Sequence, residues 1–172
     1  MEIGISNFRV VHASGRDWSY LTEACINELG DTQSGENIGF VYLTDALEQN
    51  VTAILGCLRE QTGISQWVGT VGFGICVSGI ELFDIPAIAI MLGRLPQDSF
   101  RVLPSIRLNH NEIPEEIIAW SKSHNPTLGI VHVDPRASGI EEKSGGSKAV
   151  RGGPQEGCSR RCRQRVWKMA VS

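Results

Sequence analysis

Apolar positions recur along this chain with two rhythms, one helical and one of continuous short runs. Residues 8–13, Phe-Arg-Val-Val-His-Ala, read as a first strand. Trp18, Leu21, Cys25 and Leu29 then recur at helical spacing. Ser14 is placed to cap that helix with Asp17 near its third position, and Gly30 to stop it. Residues 38–43 are a continuous apolar run, as expected of a strand covered on both faces. Thr44 is placed to cap the next helix, with Asp45 at its positive end. Leu47, Val51, Ile54, Leu55 and Leu58 make that helix's stripe, and Gly63 closes it.

Residues 66–71, 73–78 and 87–92 are further strand candidates, with 80–83 extending one of them. Their short connections favour hairpins, so this part is predicted to be an antiparallel meander. Residues 99–103 read as an edge strand. Residues 115–123 read as a third helix, with Pro114 tolerated in its first turn and Asn125-Pro126 ending it. Residues 128–133 are another buried-type strand, closed by Asp134-Pro135. The order β-α-β-α, β-meander, helix, strand predicts an α/β fold with a mixed β-sheet and flanking helices.

After Arg136 the pattern collapses into glycine, serine and arginine. The expected division is an α/β domain over residues 1–138 and a basic, disordered tail over 139–172. Charge follows the same boundary. Residues 1–138 hold 8 Lys+Arg against 16 Asp+Glu, whereas residues 139–172 hold 8 against 3. The whole chain, 172 residues with a net charge of −3, has no global pull toward nucleic acid. Its N-terminus lacks the pattern of a signal peptide, and its longest apolar runs are broken by glycine, Glu81, Asp84 and Pro86. No transmembrane segment is expected. Of the five cysteines, Cys25, Cys57 and Cys76 lie in apolar stretches and read as small core residues in a reducing cytoplasm.

Candidate chemistry centres on residues 63–93, which are apolar, nearly uncharged and punctuated by glycine. Gly69-Thr70-Val71-Gly72-Phe73-Gly74 is not a nucleotide loop, because no Lys-Ser/Thr follows and no helix opens there. It reads either as a backbone wall against a small ligand or as a tight bend in a buried sheet. A second feature is a pair of strand ends, Thr44-Asp45 and Asp134-Pro135-Arg136. If the two strands are parallel neighbours, both carboxylates lie at one sheet edge, where open α/β sheets bind ligands. Helix capping for Asp45 and a turn for Asp134 are the structural alternatives.

His132 shares a strand face with Ile130 and Asp134, so it could bind a metal or haem, act as a base, or be a satisfied core residue. Cys158 and Cys162 lack partner ligands in their neighbourhood. Arg160, Arg161, Arg163 and Arg165 suit either an anionic partner or a solvated tail, and the tail's composition favours the second. Cys76 with His132 and Asp134 is the alternative enzyme reading, a small hydrolase or transferase, although its apolar neighbours favour an inert thiol.

Gly39-Phe40-Val41-Tyr42-Leu43-Thr44-Asp45, then Ala53-Ile54-Leu55 and Leu58-Arg59, then Trp67-Val68-Gly69-Thr70-Val71-Gly72 and Gly74-Ile75 follow in an order that resembles the N-terminal domain of the FIST family. The stretches 84–93 and 129–136 are also similar to it. The resemblance implies a bacterial, cytoplasmic sensory domain in signal transduction rather than an enzyme. It implies a small-molecule ligand, amino-acid-like, and an output partner such as a histidine kinase, chemotaxis receptor or cyclic-nucleotide signalling enzyme. Some members bind haem, but no motif places a haem ligand here, and the cofactor stays unassigned. Taken with the strand ends and the glycine block, it points to Asp45, Gly69, Thr70, Gly72, Gly74, His132, Asp134 and Arg136 as ligand-binding residues. The family pattern normally continues past the Asp-Pro strand into a C-terminal domain. The abrupt change of composition here is expected of a truncation or a frameshift from about residue 142.

Overall fold

The computed structural model describes residues 8–31, 35–103, 114–132 and the backbone of 167–171. Strand β1 (Phe8–Ser14) leads into helix α1 (Trp18–Leu29). Leu21, Cys25 and Leu29 are buried and Trp18 packs against the same core, as their spacing predicts. The cap is Asp17 rather than Ser14. Its carboxylate accepts from the backbone N–H of Ser19 at 2.8 Å and of Tyr20 at 3.2 Å. Ser14 instead stays paired in β1 opposite Ala87, so the helix cannot begin there.

Strand β2 (Ile38–Thr44) is followed by a 3₁₀ helix (Asp45–Asn50) and helix α2 (Val51–Thr62). The predicted stripe of α2 is buried from Leu47 to Leu58, with Val51 packed at its margin. Gly63, at φ 69°, closes the helix as its position implies. Thr44 does not cap. Its Oγ1 donates to the Ile85 carbonyl at 2.8 Å and accepts from the Ala87 N–H at 2.9 Å. This fully buried hydroxyl fastens the end of β2 to a distant loop. Thr44→Val keeps the shape and deprives both backbone groups of their partner, so a loss of about 2 kcal/mol is expected in urea unfolding, with an unchanged denaturant slope.

Strands β3 (Trp67–Gly72), β4 (Gly74–Val77), β5 (Ile80–Phe83) and β6 (Ala87–Gly93) come next. The mixed sheet is present, in the order β1-β6-β2-β3. The meander is narrower than the short connections suggest. β3 pairs parallel to β2, with Gly39 opposite Trp67 and Thr44 opposite Gly72, because α2 carries the chain back across the sheet. Within residues 66–93 the one consecutive antiparallel pair is β4 and β5, turned by Ser78 and Gly79 at φ 51° and 80°. β6 inserts between β1 and β2, antiparallel to both. It suits that place because both of its faces are apolar.

Helices α1 and α2 cover one face of this sheet through Val41, Leu43, Trp67, Ile88, Ile90 and Leu92. Two smaller units cover the other. The β4–β5 hairpin lays Ile75, Val77 and Leu82 against Ala87, Ala89 and Tyr42. Strands β7 (Phe100–Leu103), β8 (Leu128–His132) and β9 (Trp167–Val171) form a separate antiparallel sheet in the order β7-β9-β8. Phe100, Val102 and Ile130 from it pack on Ile38, Phe40 and Val68. Among the described residues, β9 is the part of 139–172 that is seen. Helix α3 (Glu115–His124) lies between β7 and β8 in sequence, and Asn125 at φ 46° ends it. Its buried Trp120 donates to the Asp98 carbonyl at 3.3 Å, beneath the Arg101 guanidinium.

Candidate functional site

The two covering units meet over Tyr42. This residue packs both with the β4–β5 hairpin and with the apolar patch under β7 and β8. Its position follows from strand alternation: Val41 and Leu43 face the helices, so Phe40 and Tyr42 face the other way. On β8 the same rule sends Ile130 and His132 toward the central sheet. The Tyr42 hydroxyl lies 3.1 Å from Nε2 of His132, and the rings meet edge-on with centroids 5.4 Å apart. Burial pushes the Tyr42 phenol above its ordinary range, so it keeps its proton.

Thr70 is the register partner of Tyr42 on β3 and is half-buried beside it. Its hydroxyl makes only a long 3.3 Å contact to the Val71 carbonyl, which leaves its bonding capacity largely available. Tyr42, Thr70 and His132 thus put two hydroxyls and an imidazole on one otherwise apolar face. Such a set can orient a small polar molecule through hydrogen bonds.

The glycines have other neighbours. A Cβ on Gly69 would overlap the carbonyl oxygen of Val41, and one on Gly74 would overlap the Phe83 ring. Both close approaches are to protein atoms. Gly72 ends β3 opposite Thr44, where a Cβ would meet only ordinary contact. Asp45 is the exposed first residue of the 3₁₀ helix, at its positive end as expected. The idea that β2 and β8 are neighbours in one sheet is not met. They belong to different sheets and face one another, so their ends do not share an edge. Asp134 and Arg136 lie outside the described residues.

Cys76 is exposed, contrary to its apolar neighbourhood in sequence. Ile75 and Val77 take the hairpin's inward face, so Cys76 must point outward. His132 is engaged with Tyr42, while Cys76 lies on the hairpin's outward side. Among the described residues no group of three His, Cys, Asp or Glu could hold a metal ion, and no helix is long and apolar enough to cross a membrane. The chain matches no protein-family model, no curated protein and no solved structure.

The residue that reading by motif misses is Tyr42. Its signal is the phenol itself: a tyrosine inside a strand covered on both faces needs a partner for its hydroxyl.

Proposed function

We propose that this chain is a cytoplasmic small-ligand sensory domain of the FIST type, with a role in binding rather than catalysis. The observation that supports it best is the Tyr42–His132 contact, flanked by Thr70, where the two covering units meet over the central sheet. A ligand at that junction would touch both covers at once. Its arrival could then alter how β8 sits on the sheet, which is what a sensor needs to pass a signal on. An amino-acid-like molecule suits three hydrogen-bonding side chains on an apolar floor. The output partner in this reading is a histidine kinase, a chemotaxis receptor or a cyclic-nucleotide signalling enzyme.

The test is a thermal-shift screen of the whole chain against the twenty amino acids and haemin. A ligand present at a hundred times its Kd adds about 2.7 kcal/mol, or about 5–10 °C in a chain of this size. Tyr42→Phe and Thr70→Val should each remove most of the shift; Thr70→Val should leave the unliganded midpoint nearly unchanged, whereas Tyr42→Phe should lower it by a few degrees through the lost His132 bond. A cooperative unfolding transition that no compound moves would count against the sensory reading, as would a shift indifferent to both substitutions.

A further inference from the structure

The β4–β5 hairpin carries more apolar surface than its packing uses. Ile75, Val77 and Leu82 already cover the central sheet. Beyond them Phe73, Phe83 and Ile85 are 66, 50 and 40% exposed. Phe73 and Ile85 flank the hairpin's base, and Phe83 lies over Gly74 on its outward face. A concentration of large exposed side chains on so short a segment marks an interaction surface.

Three carboxylates stand around this patch, with Arg16 brought to its far margin by the 3.0 Å bond from the Gly15 N–H to the Pro86 carbonyl. Glu81 stands two residues from Phe83 on the same outward face, and Asp84 follows Phe83 in a turn at φ 56°. The Thr44–Ile85 hydrogen bond places exposed Asp45 at the hairpin's base. No lysine, arginine or histidine occurs between Arg59 and Arg94. Among the described residues neither β4 nor β5 pairs with a third strand. The surface is therefore apolar, acid-rimmed and open at both strand edges.

We propose that this hairpin is a docking surface for a basic amphipathic segment of another protein. The segment's apolar side chains would cover Phe73, Phe83 and Ile85, and its lysines or arginines would face Asp45, Glu81 and Asp84. Charge complementarity selects this occupant. A second copy of the same hairpin would set carboxylates against carboxylates. The proposal stands apart from the sensory reading, since it uses none of Tyr42, Thr70 or His132.

The probe is a labelled fourteen-residue Leu/Lys peptide of helical amphipathic spacing, titrated with the whole chain by fluorescence anisotropy. A Leu/Glu peptide of the same spacing and a Ser/Lys peptide of the same charge serve as comparisons. The Leu/Lys peptide should bind, and both comparison peptides should bind at least about tenfold more weakly. Phe73→Ser should weaken binding about tenfold, and so should Glu81→Lys combined with Asp84→Asn, where asparagine tolerates the positive φ. The Ser substitution is checked by its thermal midpoint. If it lowers that midpoint, Glu81→Lys at its exposed position decides alone. The proposal is overturned if the Leu/Lys peptide fails to bind, if the Ser/Lys peptide binds as tightly, or if the hairpin substitutions leave binding unchanged. Self-association of the chain that Phe73→Ser abolishes would also overturn it.

Discussion

Gly69→Ala is expected to cost about 3 kcal/mol or more, while Gly74→Ala is expected to cost less than about 1 kcal/mol. Both glycines lack room for a Cβ, yet what stands in the way differs. At Gly69 the obstacle is the backbone carbonyl of Val41, in a strand paired on both sides. It cannot rotate away, so β3 would have to retreat from β2 along a register of six residue pairs. At Gly74 the obstacle is the ring of Phe83, which is 50% exposed and free to swing outward. Gly39 should resemble Gly69. Its Cβ would come within 2.5 Å of the Trp67 ring, which is 2% exposed and anchored by a 2.8 Å hydrogen bond to the Ile64 carbonyl. Urea midpoints for the three alanine variants check this ordering. Equal losses at positions 69 and 74 would contradict the account of the glycine block as two different kinds of close approach.

The same contrast separates what the sequence makes legible from what it hides. The buried stripes of α1 and α2 are local properties, set by side chains three or four positions apart, and they can be read directly. Neither side chain expected to cap does so, for a common reason. Ser14 and Thr44 are good capping residues, but each ends a strand whose pairing continues through it. Strand pairing there is a long-range outcome that cap chemistry cannot foresee. The place of β6 between β1 and β2 is hidden for the same reason: an apolar run tells of two covered faces, not of which strands flank it. Cys76 was misjudged because a two-stranded hairpin buries only one face, so apolar neighbours at 75 and 77 imply an outward residue between them. Of the candidate site, His132 and Thr70 are visible as polar residues in apolar strands. Their common meeting point, Tyr42, lies 90 residues from His132 and is revealed only when two sheets stack.

Above pH 9 the protein should lose stability steeply, through a single buried thiol. Cys25 is fully enclosed between α1 and the sheet. Burial, helped by the nearby Glu28 carboxylate, pushes its thiol from 9.0 up to about 12. The folded-state value is raised, so the unfolded chain ionises first. Below pH 9 both states hold the proton and the thiol contributes no pH dependence. Between pH 9 and 12 the unfolded state alone releases it, and stability falls by about 1.4 kcal/mol per pH unit, reaching about 4 kcal/mol by pH 12. Burial raises the Tyr42 phenol as well, and adds to the loss in the same direction at the upper end of this range. Cys25→Ala separates the two. Its unfolding free energy is lowered at every pH by the cavity it leaves, but its decline above pH 9 should be shallower than that of the unaltered chain by about one proton's slope. Urea titrations from pH 7 to 11 measure this. Parallel curves for the two proteins would mean that Cys25 ionises as easily in the folded chain as in the unfolded one, and that α1 does not seal it from water.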